Sequence, residues 1–151
     1  MLRVLCLIAL LAAVGVLADI DDKPPAFLRP DLVAPVTTTP GEVAVLTSDN
    51  FEAIVMDKTK TVFVKFFALW CGHCVKMAPA WKLLAENMAD TDDVVVAELN
   101  ADAHKGVDSQ YGEEGLPTIK LFSKGNKAGM EYKGVRTVEA LMKFLAESAV
   151  R

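Results

Sequence analysis

The sequence predicts an α/β fold in which a central mixed β-sheet is covered by helices on both faces. Short apolar runs of strand length alternate along the chain with segments whose apolar residues recur at helical spacing. Two of these runs are apolar on both alternating faces, as expected of strands that are buried on each side. The last elements read as a hairpin followed by a helix. Alternating strands and helices form parallel pairs and a hairpin adds antiparallel ones, so the sheet is expected to be mixed.

The elements follow one another from residue 42. Residues 42–46, "EVAVL", predict a strand, and residues 48–56, "SDNFEAIVM", predict a short helix capped by Ser48 or Asp49. Residues 61–69, "TVFVKFFAL", predict a central strand. The remaining elements are a helix from about 74 to 88, a strand at 93–99, a short polar helix at 102–112, hairpin strands at 117–122 and 128–134, and a last helix capped by Thr137.

The N-terminal 41 residues differ in composition from the rest of the chain. Arg3 is followed by an apolar run that ends in small side chains, which predicts a cleaved secretory signal peptide over residues 1–18. That run is short for a membrane span, so no membrane association is expected after cleavage. Residues 19–41 hold five of the seven prolines and predict an extended or disordered leader. Residues 42–151 are long enough for one domain with one core.

The charge balance disfavours two classes of partner. The chain carries 16 basic and 20 acidic side chains, a formal net charge of −4. Loss of Arg3 with the signal peptide would make it about −5. Nucleic acid and anionic membrane surfaces are therefore not expected as partners.

The stretch "FFALWCGHCVKMAP", residues 66–79, places Cys71 and Cys74 where a strand is expected to end and a helix to start. The free N–H groups of a helix's first turn stabilise negative charge, so we expect a lowered pKa for the Cys71 thiol. A protonated His73 would add a positive charge beside it. Cys74 lies one turn further in and is expected to be more buried. Cys71 is thus the predicted nucleophile and Cys74 the resolving thiol of a dithiol that gives its disulfide away readily.

Three other uses of the cysteines agree less well with the sequence. A haem attachment motif needs His directly after the second Cys, where this chain has Val75. Zinc needs four ligands, but Cys71, His73 and Cys74 are too close together to serve jointly and His104 is far off, so no metal is predicted. An inert structural bridge is disfavoured because cross-linking such close neighbours restricts the unfolded chain very little.

The stretches "WCGHC", "LNADAH", "GLPTIKLF" and "YKGVRTVEALMKFL" together resemble one catalytic domain of the protein disulfide isomerase family, which has a thioredoxin fold. The similar region covers residues 42–149, nearly all of the chain outside the predicted signal and leader. The resemblance implies that Cys71 is the nucleophile, that Cys74 is the escape thiol, and that Gly72 and His73 tune the pair.

The resemblance also implies a substrate surface beside the dithiol. Pro117 would be cis and face the dithiol, and Leu116 would present its backbone to an extended substrate. Trp70 directly precedes the first cysteine and is more plausibly part of this surface than of the core, with Leu69 extending an apolar rim.

Two positions depart from the family's pattern. Relatives usually carry a buried acid six residues before the first Cys and an Arg three residues before the cis-proline, where this chain has Lys65 and Glu114. We hypothesise that Lys65 and Glu114 form a charge-swapped pair near the dithiol. A desolvated Lys65 could accept a proton from Cys74 as a neutral amine, or stabilise its thiolate as an ammonium. The alternative is that Lys65 extends its charge to solvent and Glu114 is an ordinary loop charge.

The sequence therefore predicts an enzyme, a thiol–disulfide oxidoreductase and isomerase acting in the secretory pathway through Cys71 and Cys74. Expected partners are unfolded or misoxidised polypeptides with cysteines and a re-oxidising partner or glutathione. No cofactor is expected, and the chain is predicted to be a monomer. The endoplasmic reticulum lumen is the expected location, with secretion open because "ESAVR" is not a KDEL-type signal. The alternatives are a thioredoxin-like reductase, which His73 argues against, and a non-catalytic peptide-binding module or chaperone.

Overall fold

The computed structural model describes residues 38–111 and 115–149 of the 151-residue chain. The predicted signal peptide and most of the predicted leader lie outside these residues. Within them the elements are β1 (Ala44–Leu46), α1 (Phe51–Val55), β2 (Thr61–Phe67), α2 (Gly72–Asn87), β3 (Val94–Asn100), α3 (Lys105–Tyr111), β4 (Thr118–Phe122), β5 (Met130–Glu131) and α4 (Val138–Ala149). None of the described helices combines the length and apolarity that crossing a bilayer requires.

The strands form one mixed sheet in the order β1-β3-β2-β4-β5. β3 is parallel to both β1 and β2, whereas β4 is antiparallel to β2 and β5 is antiparallel to β4. The predicted α/β class and mixed sheet are confirmed. β2 lies at the centre, and only its last residue, Phe67, is not buried, as its continuous apolar run predicts.

A separate core covers each face of the sheet, because successive side chains of β2 point to opposite faces. Val62, Val64 and Phe66 pack with α1 in one core. Phe63 packs with α2 and α4 in the other, against Trp81, which is fully buried. The same alternation puts Lys65 on the Phe63 face, so a charged side chain lies beneath α2.

Two helix starts differ from the sequence predictions. The residue preceding α1 is Asn50, so the predicted caps Ser48 and Asp49 are wrong; the Asn50 side chain instead accepts the Thr47 N–H at 2.7 Å. α2 begins at Gly72, two residues earlier than predicted, because the Cys71 carbonyl already accepts the Val75 N–H at 3.1 Å.

Candidate active site

Cys71 and Cys74 lie where β2 gives way to α2. Cys71 is the N-cap residue, with an extended backbone of φ −80° and ψ 104°. The two cysteines are joined in a disulfide, and their Cα atoms are 5.2 Å apart. The Cys74 N–H donates to Cys71 Sγ at 3.2 Å. A first-turn backbone donor of α2 is therefore directed at Cys71 Sγ, where it would stabilise negative charge.

The disulfide is more covered than the sequence suggests. Cys71 is 5% exposed and Cys74 is 3% exposed, so the predicted contrast in burial between them is small. Both pack with the buried Ala68 and with the partly buried Phe67 and Leu116. Contacts from these three residues cover the disulfide, and no local sequence pattern reveals them.

The segment that opposes the dithiol comes from the loop before β4. The Leu116–Pro117 peptide bond is cis, as the resemblance implies. Cys71 Sγ lies 3.5 Å from the Leu116 carbonyl oxygen. Arg136 Nη2 donates to the Pro117 carbonyl oxygen at 3.3 Å, and Thr118 Oγ1 donates to the Gly115 carbonyl oxygen at 2.8 Å. These bonds tie the Leu116–Pro117 backbone to β4 and to the turn before α4.

An exposed apolar rim, formed by Leu69, Trp70 and Val75, flanks the disulfide. Their exposed fractions are 76%, 74% and 62%. Trp70 Nε1 donates to Asp102 Oδ2 at 2.6 Å, which ties the indole to the loop between β3 and α3. Asp102 is the first residue of the short helix predicted over residues 102–112, but α3 begins only at Lys105, so Asp102 lies in the preceding loop and holds Trp70.

Gly72 and His73 occupy the first turn of α2 between the cysteines, and both are exposed. A Cβ atom added at Gly72 would meet nothing within 4 Å. The His73 side chain is therefore close to the dithiol in sequence and open to solvent.

Lys65 forms a buried ion pair with Glu98, a residue that the sequence analysis did not single out. Lys65 Nζ lies 2.7 Å from Glu98 Oε2, and the side chains are 3% and 27% exposed. The two residues are register partners on the parallel strands β2 and β3. The ammonium also lies 5.2 Å from the Phe67 ring centroid and 5.6 Å from that of Trp81.

These contacts exclude one of the two interpretations of Lys65 that the sequence left open. The reading in which its charge extends to solvent is wrong, because the side chain is 3% exposed. Its hypothesised partner Glu114 lies outside the described residues, so a contribution from Glu114 stays a prediction. Within the described chain, the opposite charge at Lys65 comes from β3, whose register with β2 cannot be obtained from a local pattern.

A cavity of about 220 Å³ connects this ion pair with Cys74. Lys65, Glu98 and Cys74 contribute its ionisable side chains. The other lining residues are Phe67, Ala68, Leu69, Val75 and Ala78. The cavity is partly open to solvent and brings an ammonium and a carboxylate to the same space as one sulfur of the dithiol.

No metal site is formed by the part of the chain that the structure describes, since it holds no group of three or more His, Cys, Asp or Glu with suitable placement. His104, the other histidine, has Nδ1 3.2 Å from the Ser48 amide nitrogen and 3.1 Å from Ser48 Oγ. It joins the start of α3 to the loop before α1, away from the dithiol.

Comparisons with known proteins match this fold and this motif. A family model described as thioredoxin matches residues 42–147. Protein disulfide isomerase-like 2-2 of Oryza sativa subsp. japonica is 46% identical over 112 residues, which are 74% of this chain and 30% of the relative. Protein disulfide-isomerase A2 of Mus musculus is 46% identical over 106 residues, 70% of this chain and 20% of the relative. The chain thus spans less than a third of the length of these curated relatives.

Among solved structures, the first thioredoxin domain of mouse protein disulfide-isomerase A4 is similar over most of its own length. Its identity to this chain is 34% and its TM-score is 0.67, with 80% of this chain and 84% of that domain covered. Human ERp44 in its zinc-bound form has a TM-score of 0.62 and 27% identity, over 72% of this chain and 31% of that one.

Proposed function

The chain belongs to the thioredoxin family, and from this premise we propose that it is a thiol–disulfide oxidoreductase that forms and rearranges disulfide bonds in cysteine-containing polypeptides. The observation that carries the proposal is the Cys71–Cys74 disulfide at the N-terminus of α2, with the Leu116 carbonyl 3.5 Å from Cys71 Sγ. Similarity to protein disulfide isomerases supports it.

Oxidation of a substrate begins with a substrate thiolate attacking Cys71 Sγ. The Cys71–Cys74 bond breaks, Cys74 leaves as a thiolate that takes up a proton, and a mixed disulfide joins Cys71 to the substrate. A second substrate thiolate then attacks the substrate sulfur of that bond. Cys71 leaves as a thiolate, which the first-turn N–H groups of α2 stabilise, and the substrate has gained a disulfide.

Isomerisation starts from the reduced dithiol. The Cys71 thiolate attacks a wrongly paired substrate disulfide and releases one substrate thiolate, which can then attack another bridge within the same substrate. If rearrangement stalls, Cys74 attacks Cys71 Sγ, re-forms the enzyme disulfide and leaves the substrate reduced. Gly72 and His73 are proposed to tune the pair, since His73 in its charged form favours the thiolate.

The substrate surface is proposed to combine the apolar rim with the loop opposite the disulfide. Leu69, Trp70 and Val75 expose apolar area that suits unfolded chains, whose apolar side chains are accessible. An extended polypeptide would lie along Leu116 and Pro117, where main-chain contacts depend little on substrate sequence. We expect weak and promiscuous binding.

We further propose that the protein acts in the secretory pathway, most simply in the lumen of the endoplasmic reticulum. The predicted signal peptide and the need for an oxidising compartment support this. Its partners would be unfolded or misoxidised polypeptides, and a re-oxidising protein or glutathione would restore the disulfide. The monomeric state remains a prediction from the sequence.

The test is a trapping experiment with Cys74→Ser. This variant cannot resolve a mixed disulfide, so incubation with a misoxidised cysteine-containing polypeptide should accumulate a covalent complex through Cys71. The matched control, Cys71→Ser/Cys74→Ser, should form none. Absence of the complex with Cys74→Ser would refute the proposal. If the double variant still suppressed aggregation while the parent showed no redox turnover, the protein would be a binding module.

A redox titration of the parent separates isomerase from reductase. A value of about −180 mV is typical of protein disulfide isomerase and about −270 mV of thioredoxin. We expect the dithiol to lie near the first value, and a result near the second would assign a reductase.

A further inference from the structure

The resolving cysteine must exchange its proton from a buried position beside a partly open cavity. Cys74 is 3% exposed and lines this cavity together with the rim residues Leu69 and Val75. Yet this sulfur must lose a proton each time it attacks the mixed disulfide, and gain one each time it leaves. Either the proton passes through the apolar surroundings, which is costly, or a polar group within the cavity receives it.

The cavity provides such a group. Its volume of about 220 Å³ exceeds the share of a single liquid water, about 30 Å³, so it can hold several water molecules. Among the described lining residues, the groups that titrate are Lys65, Glu98 and Cys74. Glu98 is 27% exposed, so its carboxylate reaches from the cavity to solvent, whereas Lys65 is enclosed at 3%.

From this arrangement we infer that Glu98 exchanges a proton with Cys74 through cavity water, and that Lys65 positions the Glu98 carboxylate for this exchange. The inference rests on the proposed oxidoreductase function and adds a role for a residue on β3. The group that accepts the Cys74 proton is the Glu98 carboxylate rather than the Lys65 nitrogen, because Lys65 Nζ is already paired with Glu98 Oε2 at 2.7 Å. The Phe67 and Trp81 ring centroids also lie 5.2 and 5.6 Å from the ammonium and attract it through its positive charge.

The resolving step balances as follows. The Cys74 thiol gives its proton through water to the Glu98 carboxylate, and the resulting thiolate attacks Cys71 Sγ. The Cys71–Cys74 bond forms as the bond from Cys71 to the substrate sulfur breaks. The dithiol is oxidised by two electrons and the substrate leaves as a reduced thiolate. Glu98 then releases the proton to solvent, and the reverse sequence protonates Cys74 when a substrate thiolate opens the enzyme disulfide.

The test separates the two thiol reactions in time. Reduced protein is mixed with a peptide disulfide carrying a fluorescent reporter on each half: attack by Cys71 releases the first half, and attack by Cys74 releases the second. In Glu98→Gln the first release should be unchanged, while the second slows by about 10²-fold near neutral pH. Its pH profile should also move to higher pH, because the thiol must then ionise unaided.

A matched control and a second variant keep the result interpretable. Glu131→Gln removes an ion-paired carboxylate of similar exposure, 29%, from β5, and should release both halves at the parent's rates. If Glu98→Gln alone fails to fold, the double variant Lys65→Met/Glu98→Gln replaces it, because it leaves no unpaired buried ammonium. It should show the same slow second release.

The two releases test separately the proposed oxidoreductase function and the role of Glu98. If the parent releases no first half, the proposed oxidoreductase function itself fails. If the first release occurs and either folded Glu98 variant releases the second half with the parent's rate and pH profile, the function stands and the role of Glu98 is refuted.

Discussion

Replacing either partner of the buried Lys65–Glu98 pair should destabilise the fold by clearly different amounts. Glu98→Leu would leave without its carboxylate partner an ammonium whose side chain is 3% exposed, since Glu98 is the one carboxylate among the described residues that line the cavity. Removing one partner of a buried pair costs about 3–5 kcal/mol. The nearby Phe67 and Trp81 rings would still face the ammonium, so we expect the lower end, about 3 kcal/mol.

Lys65→Met should cost much less. It leaves the Glu98 carboxylate, which is 27% exposed and can turn toward water, so a loss of about 1 kcal/mol or less is expected. The methionine would fill the space of the lysine stem beside Trp81. The double variant Lys65→Met/Glu98→Leu removes both charges and should return to within about 1 kcal/mol of the parent.

Urea unfolding of the oxidised proteins, followed by far-ultraviolet circular dichroism, measures these differences as changes in the free energy of unfolding. The reasoning requires that Glu98→Leu be the least stable variant and that the double variant recover most of the loss. Equal losses in the two single variants, or a double variant as unstable as their sum, would refute the buried-pair account.

Two further predictions concern local backbone and side-chain geometry. Gly129→Ala should lower the free energy of unfolding by about 1 kcal/mol or more, because Gly129 has φ +84° and an added Cβ would lie 2.8 Å from a Phe122 ring carbon. Gly125→Ala, where nothing lies within 4 Å, is the control and should change little. The Thr59 hydroxyl and N–H hold the pKa of Asp57 below its ordinary value of 3.8, so this stabilisation is complete above that value and is lost as pH falls through the lowered pKa. Thr59→Val should raise the Asp57 pKa in a carboxyl NMR titration, and an unchanged titration would contradict the assignment.

The fold could be predicted from local pattern because its central elements carry strong periodic signals. The unbroken apolar run of β2 indicates a strand buried on both faces, and its alternation separates the two cores. Caps are set by finer geometry: Asn50 was missed because Ser48 and Asp49 are equally good caps in sequence.

Local sequence pattern predicted only the contiguous part of the site, and the family resemblance added the cis Leu116–Pro117 bond opposite it. Cys71 and Cys74 lie three residues apart and define the dithiol, whereas Glu98 reaches Lys65 through the register of β2 on β3. Register depends on which faces the whole sheet buries, so no local pattern indicated Glu98. The hypothesis for Glu114 came from the family's charge pattern and stays a prediction. The bond from Trp70 to Asp102 spans 32 residues and joins two loops, for which no periodicity exists.

The central claim is that the position of Cys71 at the start of α2 makes its sulfur easy to ionise. Alkylation of reduced Cys74→Ser, which retains Cys71 as the reactive thiol of the site, measures this directly as a rate against pH. The account predicts a midpoint well below about 8.5, the value of an ordinary free cysteine. A midpoint at about 8.5 in the folded protein, equal to that of the same variant unfolded in urea, would contradict it.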